Sequence, residues 1–359
     1  MESCRTSLPG LTFSCPFLLP LVERAVNKPL QLAILGNPDG WYVKDLRRAA
    51  EARGQTTIEV LSFASLQAGS TPTGAAWIRG QRADEGEPST VALVDETGTN
   101  RYHGLLVRTM PLGSLEQVIF RMNVLHLAHH AGVVVMNPPR TLEIAIDKWL
   151  TLDTARRTGL PIPRTTVCQG REEALAAFEA LDRNVVVKPL FGGEGRGLMH
   201  LDDLDLAWRV FSTLEQLGSA IYLQEYVPHR GFDLRVLIIG SKSYSVARHA
   251  ASGDWRTNVS RGGQAKPHAI SESQLEIARQ AAQAVGGWMV GIDILPAADG
   301  RDLLLEVNAV PGWRGTAQAL HTDIGQTVLE EFSQLLAGTT APATPIPAAS
   351  GCSQPEQGR

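Results

Sequence analysis

The spacing of apolar residues divides the chain into two textures. Leu30-Gln31-Leu32-Ala33-Ile34-Leu35 is a nearly continuous apolar run closed by the turn residues Gly36-Asn37-Pro38-Asp39-Gly40. A helix-like stretch from Val43 to Arg53 stops at Gly54, and a second strand follows from Thr57 to Leu61. Strand, helix and strand in that order predict a parallel α/β unit. Residues 65–90, rich in Gly, Ser, Pro and charge, read as a surface loop. Strands return at 91–94 and 104–107, a helix spans Leu115 to Ala131, and a strand covers Val133 to Met136 before Pro138-Pro139.

From Thr141 the pattern changes. One helix is predicted to Arg157, stopped at Gly159, and a buried strand at Val185 to Lys188 leads into a glycine-rich loop at 192–197. A short strand, a helix around 204–217 and strands at 221–227, 234–239 and 242–248 come next. An amphipathic helix at 271–285, a hairpin at 288–308 and a helix at 325–336 complete the ordered part. The expected class is α/β, turning to α+β toward the C-terminus. The expected domains are a loose extension at 1–28, an α/β domain at 29–140, a small central domain at 141–220, a C-terminal domain at 221–337 and a disordered tail at 338–359.

Composition narrows this picture by exclusion. A chain of 359 residues, 43% hydrophobic and 19% charged, suits more than one globular domain. Its net charge of −4 offers no basic excess to displace counterions, so nucleic acid is not an expected partner. Cys4, Cys15, Cys168 and Cys352 are scattered without a CxxC pair, which suggests neither zinc nor disulfides. Leu11 to Val22 is apolar but broken by Pro16 and Pro20, and no run reaches the ~18 residues that span a bilayer. A cytoplasmic protein with no membrane partner is expected, and a homo-oligomer is left open.

The hairpin carries the strongest chemical signal. Gly291-Ile292-Asp293-Ile294-Leu295 and Leu303-Leu304-Leu305-Glu306-Val307-Asn308 flank Asp299-Gly300, a favoured two-residue turn. With that turn Asp293 lies directly opposite Glu306, and alternation puts Asn308 on the same face. Two adjacent carboxylates repel unless a cation or proton intervenes, and oxygen donors of this kind suit Mg²⁺. A water-facing polar strand fits the same pattern, and Pro296 is a place where the register can shift.

A second group is Val187-Lys188-Pro189 with Gly192-Gly193-Glu194-Gly195-Arg196-Gly197. The chain has only six lysines, and one ending an apolar strand asks for an anionic partner such as phosphate. The glycines would let backbone N–H groups approach phosphate, although the loop is neither a P-loop nor GxGxxG, and a plain turn is the alternative. Gln224-Glu225-Tyr226-Val227 ends a strand before a bend, suited to an adenine edge and ribose or to a purely structural end. Arg248-His249, Arg256-Thr257-Asn258 and Arg261-Gly262-Gly263 make a cationic spot suited to carboxylate or phosphate, or a solvated loop.

Taken in order, these segments, with Asp147-Lys148, Asp233-Leu234-Arg235 and Glu306-Val307-Asn308-Ala309-Val310-Pro311-Gly312, resemble the ATP-grasp superfamily over residues 30 to 336. Within it the chain is similar to the RimK-type α-L-glutamate ligases. The resemblance implies an ATP-grasp fold behind an N-terminal Rossmann-like domain, and a ligase joining L-glutamate to a carboxylate through an acyl phosphate. It implies Lys148 and Lys188 at the ATP phosphates beneath the loop of Gly192, Gly193 and Gly195. Glu225, Tyr226 and Val227 would form the adenine hinge, with Asp233 near the nucleotide. Arg248, Arg256 and Asn258 would face the triphosphate and the substrate carboxylate. Asp293, Glu306 and Asn308 would ligate two Mg²⁺, with Mn²⁺ as a substitute. The implied acceptor is a pterin or deazaflavin cofactor or a protein C-terminus. Trp313 departs from the pattern and would either stack on a ring-bearing substrate or sit in the core. D-alanine–D-alanine-type ligation, a small-molecule kinase and a non-catalytic ATP-binding regulator are the rival readings.

Overall fold

Residues 30–83, 89–192, 197–250, 256–257 and 264–338 are described by a computed structural model. The predicted extension at 1–28, nearly all of the tail, Gly193, Gly195 and Asn258 lie outside them.

The N-terminal part comprises β1 (Leu30–Leu35), α1 (Trp41–Arg53), β2 (Thr56–Leu61), β3 (Gln67–Ser70), β4 (Ala76–Gln81), β5 (Thr90–Val94), β6 (Gly104–Val107), α2 (Leu115–His130) and β7 (Val134–Met136). Strands β2-β1-β6-β7 form a wholly parallel sheet, as the strand–helix–strand pattern predicts. The 65–90 reading is corrected in part, because β3 pairs antiparallel with β4 and β4 with β5. Their Gly and Ser content hides the alternation, and only Ile78 and Gly80 of β4 are buried. Helix α2 begins on a capping box in which Ser114 Oγ accepts from Gln117 N and Gln117 Oε1 accepts from Ser114 N.

The central part comprises α3 (Pro139–Ile146), α4 (Lys148–Arg157), β8 (Thr165–Cys168), α5 (Arg171–Ala180), β9 (Val185–Lys188), β10 (Met199–Leu201), α6 (Leu204–Gln216) and β11 (Ile221–Glu225). The predicted single helix to Arg157 is two helices. Asp147 leaves helical geometry at φ −95° and ψ 108°, and its carboxylate accepts from Trp149 N and Leu150 N to start the second. Strands β10-β9-β11-β8 form an antiparallel sheet under α5 and α6, around Phe178 and Phe211. Those rings meet edge to face at 6.3 Å, and each contributes roughly 1.5–3 kcal/mol by burial.

The C-terminal part comprises β12 (Phe232–Ile239), β13 (Lys242–His249), β14 (Gln264–Pro267), α7 (Glu272–Val285), β15 (Met289–Pro296), β16 (Asp302–Asn308), α8 (Arg314–Leu320) and α9 (Ile324–Gly338). Its antiparallel sheet runs β14-β13-β12-β15-β16. Helix α7 covers one face, meeting Val290, Ile292 and Ile294 with Ala278, Ala281 and Ala282 in one apolar cluster. Helix α9 turns back to the N-terminal sheet, where Val328, Leu329 and Phe332 join Leu32, Ile34 and Leu46. None of the described helices is long and apolar enough to cross a membrane.

Candidate active site

The open face of the C-terminal sheet carries a row of charges set by strand register. On β12, Asp233 and Arg235 are two residues apart and share a face. Asp233 lies opposite Arg248 of β13, Arg235 opposite Asp293 of β15, and Asp293 opposite Glu306 of β16. Cross-strand neighbours of opposite sign attract, so the register itself builds the network.

The Asp293–Glu306 pairing expected from the sequence is present, but the turn differs. Ala297 N donates to Arg301 O at 2.8 Å and Gly300 N to Ala297 O at 3.1 Å, which makes a three-residue loop of Ala298, Asp299 and Gly300. That loop shifts the register by one. A bulge then intervenes, pairing Ile294 with Leu304 but Asp293 with Glu306, and restores the expected facing. Gly300 holds φ at +91°, a conformation that favours glycine. Asn308 lies opposite Gly291, and its Oδ1 accepts from Val310 N at 2.9 Å.

The carboxylates are not equivalent. Asp293 takes a fork from Arg235 and a further bond of 2.8 Å from Arg248 Nη2. Burial alone would raise its pKa, and the two guanidinium charges overcome that and hold it below the usual carboxylate range. Among the described residues Glu306 has no such partner, and burial and the Asp293 charge push its pKa up. Arg248 donates through Nε and Nη2 to Asp233 at 2.7 and 2.5 Å, and Thr257 Oγ1 donates to the same carboxylate at 2.7 Å. The Arg248 fork is therefore engaged by acidic side chains, while the residue also lines the cleft above the row.

Above the row lies a cleft of about 120 Å³, closed on the other side by the central sheet. Lys148, Lys188, Gly192, Glu225, Tyr226, Val227, Asp233, Arg248, Arg256, Asp293 and Glu306 all reach its walls, so one cleft gathers these expected residues. Val186, Leu198, Val227, Leu295 and Leu305 make an apolar slot within it. Lys148 is the first residue of α4, where a cation opposes the helix dipole, so the slot and not the helix accounts for it. Its Nζ donates to Gly192 O at 2.6 Å. Lys188 Nζ donates to Gln224 Oε1 at 2.5 Å, and Gln224 Nε2 donates to Thr165 Oγ1 at 3.0 Å. Burial, with repulsion from Lys148, brings the Lys188 pKa down to about 8. Glu225 accepts from Arg164 Nε at 2.7 Å, so its carboxylate is engaged within the protein.

A second cleft of about 690 Å³ opens beyond Glu306 and takes in Asp293, Asn308, Arg235 and Arg108. Two carboxylates and an amide thus share one cavity wall, a hard-oxygen set that suits Mg²⁺. Trp313 is fully buried, with Nε1 bonded to Asp45 Oδ2 at 2.9 Å, so it belongs to the core and does not stack on substrate. Sequence reasoning gave no role to Arg235, Gln224, Thr257 or Arg108. Two-residue spacing from Asp233 is a signal that finds Arg235. Nothing local marks Arg108.

A family model for the RimK-like ATP-grasp domain matches residues 145–332. The tetrahydromethanopterin:alpha-L-glutamate ligase of Methanosarcina acetivorans is 31% identical over 279 residues, covering 70% of this chain and 86% of that protein. The alpha-aminoadipate–LysW ligase LysX of Saccharolobus solfataricus is 30% identical over 213 residues, covering 58% of this chain and 77% of its own length. Among solved structures, the ATP-grasp ligase PsnB complexed with a minimal precursor aligns with a TM-score of 0.65 at 21% identity, over 87% of this chain and 100% of that one. That likeness is one of fold.

Proposed function

Because the chain belongs to the RimK-like ATP-grasp family and is an ATP-dependent carboxylate–amine ligase, we propose that it adds L-glutamate to the carboxylate of a second substrate. The observation that carries the reading is the opposition of Lys148 and Lys188 to Asp293 and Glu306 across one cleft. Half-buried ammonium groups facing a pair of carboxylates suit a bound polyphosphate and its counter-ion. The apolar slot at Val186, Val227 and Leu295 would take the adenine ring, with Glu225, Tyr226 and Val227 as the hinge. Glutamate is supported by the names of the relatives, and the same names favour a pterin-type cofactor as acceptor. A deazaflavin or a protein C-terminus are the other acceptors in view.

In the proposed reaction an oxygen of the acceptor carboxylate attacks the γ-phosphorus of ATP, giving an acyl phosphate and ADP. The amine of glutamate then attacks the acyl carbon, loses a proton and expels inorganic phosphate. Lys148 and Lys188 hold phosphate oxygens, Arg256 and Asn258 orient the substrate carboxylate, and Asp233 and Arg248 fix Asp293 in position. The apolar walls keep water from the acyl phosphate, which hydrolyses readily. Asp293, Glu306 and Asn308 would hold two Mg²⁺, or Mn²⁺ in their place. When bound there the cations neutralise charge on the phosphates during transfer. Glu306 fits that role because, ligand-free, it is a half-buried carboxylate with a raised pKa and no cationic hydrogen-bond partner among the described residues.

Mass spectrometry of a panel of pterin, deazaflavin and peptide carboxylates, incubated with protein, ATP, Mg²⁺ and L-glutamate, tests the reading. One acceptor should gain a glutamyl unit as ADP appears, and gain of another amino acid in its place would sink the glutamate assignment. Glu306→Gln should lower ADP release at least ~1,000-fold without lowering the melting temperature. Normal turnover in that variant rejects the metal role.

A further inference from the structure

The second cleft holds a charge that the reaction above does not use. Arg108 follows the C-terminal end of β6, the middle of the N-terminal sheet, and is only 7% exposed. Its Nη2 donates to Pro311 O at 2.9 Å, 203 positions away in sequence. Its guanidinium lies 4.5 Å from the Trp313 ring centroid and 5.0 Å from that of Tyr42. Its Nε is buried with no hydrogen-bond partner among the described residues. No described Asp or Glu forms an ion pair with it, and burial lowers its pKa to about 10 against a single opposing influence, that of Tyr42. A buried guanidinium lacking an anion is costly to keep unless something supplies one.

The cavity around it shows what would. Its walls also carry Arg235, Arg314 and Asn308, and it is continuous with Glu306 and Asp293. Resting on the ligase reading, we propose that Arg108 is a specificity-determining residue that anchors a second, non-reacting carboxylate of a substrate bound in this cavity. A planar fork binds carboxylate bidentately, and the Tyr42 and Trp313 rings already fix its plane, so little freedom is lost on binding. Each dicarboxylate substrate then has one acid group at Arg108, while its reacting group lies toward Asn308 and Glu306. A neutral isostere leaves the guanidinium unpaired and is rejected for that reason.

The carboxylate can come from the incoming amino acid or from the acceptor, and two probes separate these sources. L-Glutamate represents the amine substrate. Glutarate, which has no amine, represents a dicarboxylate acceptor. Binding of each is measured by calorimetry in the presence of Mg²⁺ and a non-hydrolysable ATP analogue, with L-glutamine as the neutral control. Arg108→Met should weaken one or both dicarboxylates about 30-fold or more while nucleotide affinity holds. Loss for L-glutamate alone places the anchor on the amine substrate; loss that extends to glutarate places it on the acceptor. Because the substitution removes a buried unpaired charge, its melting temperature should equal or exceed that of wild type. Should the variant not fold, Arg108→Lys keeps the charge without the fork and should still weaken the same probe. Wild-type affinity in the variants, or no dicarboxylate binding by wild type, overturns the proposal. These readouts use no turnover, so a failed acceptor screen leaves them standing and separately legible.

Discussion

Arg248, on the floor of the C-terminal sheet, and Arg108, at the end of the N-terminal sheet, are exposed by only 6% and 7%. Their surroundings are opposite. Arg248 meets Asp233 through both sides of its fork and reaches Asp293 as well, and those carboxylates raise its pKa against the effect of burial. Arg108 meets one backbone carbonyl and two aromatic faces. The first charge is complete without a ligand and serves to hold side chains in place. Among the described residues the second is left without an anion, which is why a substrate carboxylate is proposed as its partner.

The sharpest way to break this contrast is Arg248→Met. It leaves Asp233 buried without its cation, so urea titration should show a loss of about 3–5 kcal/mol. A loss no larger than that of Arg108→Met would mean the two arginines are alike. Lys188 stands between them, a half-buried cation held by the neutral amide of Gln224. Its pKa near 8 when folded and ligand-free, against 10.5 for the free side chain, fixes two opposite slopes. Across that window the unfolded chain binds more protons, so stability rises with pH. ATP affinity falls over the same window as the ammonium is lost. Lys188→Met should flatten both slopes and weaken ATP by about 10- to 100-fold, and a pH-independent wild-type affinity would refute the assignment. The smallest effect belongs to Gly300→Ala. No atom lies within 4 Å of the added methyl, so the cost is backbone strain at φ +91°, about 1 kcal/mol. A loss of several kcal/mol would show that the turn controls the charged row.

How much of this was legible depends on the distance over which each feature is encoded. The Asp293–Glu306 facing was readable because alternation is local. It held although the inferred two-residue turn was wrong, since the longer loop and the bulge at Leu305 cancel. The break at Asp147 is hidden in an apolar pattern that continues across it, and only the family motif, in which Asp147-Lys148 opens a helix, points to it. Strands β3 and β4 were hidden by glycine and serine, because they bury little and signal little. Lys148, Lys188 and the 225–227 segment were found as motifs, yet only the fold shows that one cleft unites them. Arg108 was invisible in principle, because its environment is made by Tyr42 and Pro311, which come from opposite ends of the described chain.

The return of α9 to the first sheet has a consequence for synthesis on the ribosome. Phe332 sits against Gly104, where even a single added methyl carbon would fall 2.4 Å from its ring. Leu32 and Ile34 are thus made nearly 300 residues before the helix that helps to cover them. At ordinary elongation rates, roughly 5–20 residues per second, that face of the sheet has α1 but lacks α9 for about 15–60 s. The nascent protein must survive that interval with a greasy surface that α9 then finishes covering.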